Sequence, residues 1–237
     1  MKWSRVLIVF APAVLTLAGT LPSPAPEAVV DTYTAISRDQ AVRLRGASMD
    51  VEIEASLPKL KKQGRLQALR RISRLGRITY EAIRFEGDKT VKNSVIARYL
   101  TADSEAQSTD QSLLAITRAN YKFKYKRHSG ADENQIYIFQ LTPRKKRVGL
   151  FKGELWIDAA TCLPVREFGR FVKTPSAFLK RVDFVREYYI RAGVAVPLQI
   201  ETTVETRLVG RAEVTIHFRN VTLAGDSPVT IAAALGQ

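Results

Sequence analysis

The chain has 237 residues, with 37 lysines and arginines against 23 aspartates and glutamates, and 46% of its residues are hydrophobic. These proportions exclude a mostly disordered, collagenous or low-complexity chain and fit one or two globular domains with a hydrophobic core. The single cysteine, Cys162, excludes an intramolecular disulfide framework.

The first residues have the layout of a secretory signal peptide. Lys2 and Arg5 precede an apolar run over residues 6–18, which is shorter than the roughly 20 residues that a membrane-spanning helix needs. We therefore expect export, with cleavage after Ala18, a proline-rich leader over 19–27, one domain over 28–225 and a C-terminal tail over 226–237. Removing Lys2 and Arg5 from the 37 basic residues leaves 35 against 23 acidic ones, so the mature chain keeps a formal charge of +12.

The N-terminal half predicts two helices, a strand and a hairpin. Residues 28–42 form the first predicted helix, and over residues 49–55 apolar and acidic side chains alternate, as in a half-buried strand. Residues 64–76 fit either a helix or a strand, and we favour a hairpin that turns near Gly76. After the candidate N-cap Asp88, apolar residues recur at three- and four-residue spacing, which predicts a helix over 90–103.

The C-terminal half is dominated by strand patterns. Alternation over residues 121–126 and 212–219 predicts two half-buried strands, whereas residues 135–141 are apolar on both faces, so we expect that strand to be covered on both. Turn residues separate further predicted strands near 148–157, 163–171, 178–189 and 197–209. This spacing favours one continuous antiparallel sheet or barrel.

Motifs for catalysis and metal binding are missing from the sequence. It contains no dinucleotide-binding glycine motif, P-loop, zinc-protease motif or serine-hydrolase elbow. Ser56 and Lys59 match a serine acyl-enzyme motif in spacing, but Pro58 after a strand prevents the helix that the motif must open. His217 is expected on the exposed face of its strand and His128 in the loop before Gly130, with no third ligand at zinc spacing. We therefore expect no enzyme activity, no metal and no cofactor.

Aromatic and basic residues alternate over residues 121–127, a pattern that can stack single-stranded bases. An exported protein rarely meets nucleic acid, so we interpret these residues as core aromatics and solvated lysines. We expect no nucleic-acid partner and a monomeric protein.

The second half of the chain resembles the LolA-like outer-membrane lipoprotein-sorting family. The matching segments are YIFQLTP at 137–143, FKGELWID at 151–158, TCLPVR at 161–166, VDFVREYY at 182–189 and VP at 196–197. In that family the run reads as a strand that ends in a proline turn, a strand with a G-x-L-x-I-D-like end, and a return strand that starts near L-P-V-R. The resemblance covers roughly residues 136–220.

The resemblance implies an α+β, mostly β fold. Its curved antiparallel sheet would form a half-open barrel, with helices covering the concave side and enclosing an apolar cavity. It further implies a non-enzymatic periplasmic protein that binds a lipid acyl chain or a lipidated protein. The residues that we expect to line the cavity are Tyr137, Phe139, Leu155, Trp156, Ile157, Phe184 and Tyr188. The alternative is that these side chains fill a closed core.

The basic residues are clustered, which suggests contact with an anionic surface. Residues 59–84 contain one acid, Glu81, and residues 144–147 are an uninterrupted basic run. We expect an anionic membrane or an envelope polymer to meet Lys61, Lys62, Arg65, Arg70, Arg71, Arg74, Arg144, Lys145, Lys146 and Arg147. A second hypothesis is therefore an envelope interaction module or sensor with a filled core that binds a protein or anionic polymer through these hairpins.

Overall fold

The computed structural model describes residues 25–105, 111–130, 135–174, 179–207 and 210–226. The expected signal peptide lies outside these residues, as do most of the leader and of the C-terminal tail. Among the described helices, none is long and apolar enough to cross a membrane.

Ten strands and two helical segments make up the described chain. The first segment is α1 (Pro26–Arg43), and the second consists of α2 (Lys89–Val91), a π-helical turn (Lys92–Ile96) and α3 (Ala97–Glu105). Short 3₁₀ turns cover Pro58–Leu60 and Gln111–Leu113. The strands are β1 (Ser48–Leu57), β2 (Lys62–Ile72), β3 (Ile78–Gly87), β4 (Tyr121–Ser129), β5 (Ile136–Pro143), β6 (Phe151–Asp158), β7 (Pro164–Phe171), β8 (Leu179–Arg191), β9 (Val194–Thr206) and β10 (Arg211–Thr222).

All ten strands form one antiparallel sheet in the order β3-β2-β1-β10-β9-β8-β7-β6-β5-β4. The chain runs as a meander from β4 to β10, and β10 then pairs with β1. The sheet therefore keeps two free edges, β3 and β4. The fold class predicted from the sequence is confirmed: a mostly β, half-open antiparallel barrel with few helices.

The side-chain alternation that predicted the strands holds in the structure. In β1, Met49, Val51 and Ile53 are buried, and in β5 residues of both faces are buried, as the two-sided apolar pattern predicted. The predicted hairpin turns at Gly76, whose φ of 84° lies in the left-handed region. One prediction about a loop is wrong: His128 belongs to β4, because that strand continues to Ser129.

Both helical segments pack on the same face of the sheet, which we call the covered face. Here the buried apolar residues form two separate clusters. The first core lies under the second helical segment and is mainly aliphatic; it includes Met49, Ile53, Leu66, Val91, Ile96, Val196 and Ile216. The second core lies under α1 and is richer in aromatic residues; it includes Val29, Tyr33, Tyr121, Tyr137, Phe139, Phe151, Leu155, Ile157 and Phe184.

A pair of glycines brings β6 and β7 close together inside the second half of the sheet. Gly153 and Gly169 are direct cross-strand partners. A Cβ atom on Gly153 would lie 1.9 Å from the carbonyl oxygen of Phe168 and 2.5 Å from the Cα atom of Gly169. Both contacts are with backbone, so no side-chain rotation relieves them. Only glycine fits at this position.

Candidate functional site: the seam between the two cores

The covered face is not closed along strand β9. Ile200, Thr202 and Val204 pair with Ile216, Val214 and Ala212 of β10, so they share the covered face with these buried residues. The three β9 side chains are nevertheless only half-buried. The two helical segments therefore leave a strip incompletely covered at the border of the first core, against which Ile200 and Val204 pack. We call this strip the seam.

A bulge marks one end of the seam. The β8–β9 register shifts between Glu187 and Tyr188, which pair with Gln199 and Pro197 and leave Leu198 without a partner in β8. Leu198 is 45% exposed, a large fraction for a leucine in a sheet interior. The bulge thus exposes an apolar side chain two residues from Ile200.

An ion pair lies on the inward side of β7 and β8, next to the seam. Glu167 and Arg186 are direct cross-strand partners, and Arg186 in turn pairs with Ile200 of β9. The Arg186 guanidinium lies 4.6 Å from the Phe184 ring and donates from Nη1 to Glu167 Oε2 over 3.4 Å. Glu167 is the one buried charged residue among the described residues. Burial raises the pKa of its carboxyl, while Arg186 opposes that shift.

Arg186 is closely surrounded by protein but is not fully covered. Protein groups surround it closely enough to desolvate it, yet 36% of its side-chain surface stays accessible, against 7% for Glu167. Charged and phenolic groups from both sides of the seam act on it: Glu167 and Tyr188 from β7 and β8, and Tyr99 from α3. The guanidinium has five N–H donors, and its hydrogen bond to Glu167 is long. It therefore keeps donor capacity for another group.

Buried tyrosines surround this ion pair. Burial raises the pKa of Tyr33 on α1 and of Tyr188 on β8, and the negative charge of Glu167 adds to both shifts. Burial raises the pKa of Tyr121 to about 12, although its hydroxyl accepts a hydrogen bond from the Phe151 N–H over 3.2 Å. These phenols stay neutral at physiological pH, so they offer hydrogen bonds without adding charge.

A second inward ion pair lies beneath α3. Arg70 donates from Nε to Asp103 Oδ2 over 3.0 Å, and Tyr80 donates to the same oxygen over 2.7 Å. The side chain of Arg70 is 11% exposed. It extends into the covered face because it follows Leu66 and Ala68 on the inward side of β2.

Helix α1 is held over the second core at both ends. Near its start, Arg118 donates from Nε to Asp31 over 2.8 Å. Near its end, the Gln40 amide accepts from the Ala195 N–H over 2.9 Å and donates to the Gly193 carbonyl over 3.4 Å. The second contact ties the helix to the β8–β9 hairpin, so α1 forms one fixed wall of the seam.

The predicted cavity residues occupy three places. Five of them lie together in the second core, namely Tyr137, Phe139, Leu155, Ile157 and Phe184. Tyr188 lies beside the Glu167–Arg186 pair. Trp156 lies on the opposite face of β6, where its ring is 5.3 Å from the Arg166 guanidinium. The five clustered residues are packed core, and the half-buried residues of β9 were missed by sequence reasoning.

The predicted basic residues also separate into groups. Lys62 lies 3.3 Å from Asp88, Arg65 lies 2.6 Å from Glu52 and Arg71 lies 2.9 Å from Glu81. Arg70 is turned inward and is not part of the exposed basic surface. Arg74 is exposed at the β2–β3 turn, whereas Arg144 and Arg147 each donate to a backbone carbonyl of the segment before β4.

The antiparallel topology gathers several basic turns at one end of the sheet. The β1–β2, β5–β6, β7–β8 and β9–β10 connections all leave the sheet at this end, as their paired residues show. We call this surface the basic end; its exposed members are Lys59, Lys61, Arg144, Lys145, Lys146, Lys173 and Arg207.

The face opposite the helices carries a groove of about 1110 Å³. It crosses β6 to β10 above the two glycines, and charges of both signs line it, including Arg170, Arg181 and Asp183. Arg170 donates to Asp183 over 2.8 Å, and Arg181 also pairs with Asp183. Its charges are therefore largely satisfied within the sheet.

We searched the described residues for a metal-binding group and for a reactive thiol. No group of three or more histidine, cysteine, aspartate or glutamate side chains in that part of the chain is placed to hold a metal ion. Burial raises the pKa of Cys162, and the nearby charge of Asp158 adds to the shift. The thiol is thus protonated at neutral pH and a weak nucleophile.

Comparison with known proteins gives structural matches only. No family model matches the sequence, and no curated protein matches it. Similar solved structures include a LolA superfamily protein from Nitrosomonas europaea, at 11% identity over 88% of this chain and 97% of that one with a TM-score of 0.37. They also include a DUF1329 family protein from Desulfovibrio piger, at 13% identity over 85% and 94% of the two chains with a TM-score of 0.40.

Proposed function

We propose that this chain is a non-enzymatic periplasmic protein that binds the acyl chain of a lipid or of a lipidated protein in the seam. The observation that carries the proposal is the row of half-buried residues Ile200, Thr202 and Val204 on β9, on the face that the helices otherwise cover. Covering such a row with an acyl chain removes apolar surface from water, which is favourable by about 25 cal/mol per Å². The predicted signal peptide supports the location.

A substitution in the middle of the seam tests this proposal. Thr202→Trp fills the strip with a large side chain, and Thr203→Trp places the same side chain on the opposite face of the same strand. We expect the wild-type protein and Thr203→Trp to bind a fluorescent fatty-acyl probe, and Thr202→Trp to bind it at least about tenfold more weakly, a loss of about 1.4 kcal/mol. No probe binding by the wild type, or equal binding by both variants, would contradict the proposal.

Native mass spectrometry of the protein purified from its own envelope supplies an independent test. A stoichiometric lipid or acylated peptide that copurifies with the wild type and is lost from Thr202→Trp identifies the cargo. Copurification that is unchanged by Thr202→Trp would place the ligand elsewhere.

The basic end favours a second candidate function, docking to an anionic surface. Its exposed basic side chains come from turns far apart in sequence but lie at one end of the sheet. Lysines and arginines near an anionic leaflet gain about 1 kcal/mol each. We expect the double variant Lys145→Glu and Lys146→Glu to lose binding to phosphatidylglycerol vesicles, and Arg74→Glu at the other end of the sheet to keep it. Equal vesicle binding by the two variants would contradict docking through the basic end.

A further inference from the structure

The seam contains a charged group that an acyl chain alone would leave unused. Arg186 lies beside Ile200 in the sheet register, so its guanidinium flanks the apolar strip on β9. Its side chain is partly accessible, and its hydrogen bond to Glu167 uses one nitrogen at 3.4 Å. Both features distinguish it from a cation whose role is confined to an internal ion pair.

We infer that Arg186 binds the oxyanion head of an amphiphile whose chain lies along β9, so that the ligand of this site is a single-chain anionic lipid group and not a neutral one. This inference rests on the proposed acyl-binding function. A guanidinium presents paired N–H donors in a plane that matches the two oxygens of a carboxylate or a phosphate. The same oxyanion chemistry is found in a free fatty acid and in a phosphorylated lipid.

The surroundings of Arg186 fit this role. Its guanidinium carbon lies 4.6 Å from the centre of the Phe184 ring, and this cation–π contact helps to hold the guanidinium in place. The hydroxyl-bearing side chains of Tyr188 and Tyr99 are close enough to interact electrostatically with it. Glu167 balances the positive charge when no ligand is bound, so Arg186 is not left as an unpaired charge among desolvating groups.

Three probes of equal chain length separate the head from the chain: a long-chain fatty acid, the alkyl phosphate and the fatty alcohol. We expect the wild-type protein to bind the two anions more tightly than the alcohol. Arg186→Gln should weaken binding of the fatty acid, the alkyl phosphate or both by about tenfold, because a charge-assisted bidentate contact is lost, and should leave the alcohol unchanged. Whichever anion loses more affinity identifies the source of the oxyanion.

Two further variants keep the test independent of folding. Arg170→Gln removes an arginine that is 54% exposed on the opposite face, and it should change none of the three affinities. Glu167→Gln removes the internal carboxylate that competes for the guanidinium, and it should tighten binding of the anions without affecting the alcohol.

The outcomes distinguish this inference from the proposed function. Tight binding of all three probes with no preference for the anions, or an equal loss for acid and alcohol in Arg186→Gln, would overturn the role of Arg186 and leave acyl binding intact. If the wild type binds none of the three probes, acyl binding itself is overturned, and the role of Arg186 with it.

Discussion

Each half of the covered face holds one arginine paired with one carboxylate, and the two pairs differ. Arg70 makes two hydrogen bonds to Asp103, at 3.0 and 3.4 Å, and Tyr80 bonds the same carboxylate. Arg186 makes one hydrogen bond of 3.4 Å to Glu167, and Tyr188 interacts with both groups. The Arg186 side chain is more than three times as accessible as that of Arg70, at 36% against 11%. A closely bonded and poorly accessible pair serves structure, whereas a more accessible pair with spare donors can serve a ligand.

The two ion pairs also differ in which elements of the fold they connect. In the first half, Arg70 and Asp103 join β2 to α3, so the pair fixes a helix to the sheet. In the second half, Glu167 and Arg186 both belong to the sheet and hold no helix. Losing the first pair should therefore loosen the fold, and losing the second should chiefly change what the seam accepts.

The largest expected effect concerns the glycines of the two halves. Gly153→Ala should lower the free energy of unfolding by about 3 kcal/mol, since the new methyl group meets backbone atoms that cannot rotate away. Gly64→Ala is the matched variant in the first half, where the nearest atoms belong to the Phe85 side chain at 2.9 Å. A flexible ring can move, so we expect a loss of at most about 1 kcal/mol. Urea unfolding measures both, and equal losses would contradict this difference in packing.

The two arginines should contribute unequally to the free energy of unfolding. Arg70→Leu leaves Asp103 without its cation in a largely buried position, and we expect the free energy of unfolding to fall by about 2 kcal/mol. Arg186→Leu should cost about 1 kcal/mol, because burial already raises the pKa of Glu167, so its carboxyl can take up a proton once the cation is gone. Chemical denaturation of the two variants checks the order. A larger loss for Arg186→Leu would mean that its pair is the structural one.

A smaller effect should appear in the pH dependence of stability. The pKa of Glu167 is raised above its ordinary value of 4.5 by burial, against the opposing effect of Arg186. The folded state therefore binds this proton more tightly than the unfolded state, and the contribution of Glu167 to stability falls as pH rises from 4.5 through its folded pKa. Glu167→Gln lacks this fall. We expect the free energy of unfolding of Glu167→Gln to increase relative to that of the wild type as pH rises through this window. A difference between the two proteins that stays constant with pH would contradict the prediction.

The smallest effect concerns the wall of the seam. Gln40→Ala removes two hydrogen bonds between α1 and the β8–β9 hairpin, and we expect a loss of about 1 kcal/mol in the free energy of unfolding. Hydrogen exchange should show faster opening of α1, with α3 unchanged as the internal control. Equal acceleration in both helices would mean that α1 and α3 open as one unit.

Alternation in the sequence predicted most of the strands because a sheet with one covered face imposes a period of two on its side chains. The second helix was predicted over 90–103 from its apolar spacing, but its π-helical turn was not. An extra residue in a turn hardly changes an apolar stripe of this length, so the pattern contains little trace of it.

The charged pairs were missed for a reason that the residues themselves show. Arg70 follows Leu66 and Ala68 on the inward side of β2, so the alternation already indicated that it points inward. Glu167 and Arg186 likewise fall on the inward sides of β7 and β8. Their contact, however, depends on the register between the strands, and a one-residue shift would separate them onto opposite faces. The half-burial of β9 depends on where the helices lie, which no local pattern encodes.

The pairing of β1 with β10 has a consequence for how the protein folds. Ser48 near the start of the domain is the partner of Thr222 near its end. The hydrogen bonds between β1 and β10 can therefore form only after almost the whole chain has been made. Contacts between residues so distant in sequence form slowly, because a long loop must close before they contribute. Strands β1 to β3 can pair with one another earlier, but they can pair with the rest of the sheet only through β10. A chain with this topology can complete its sheet only when its last strand is present.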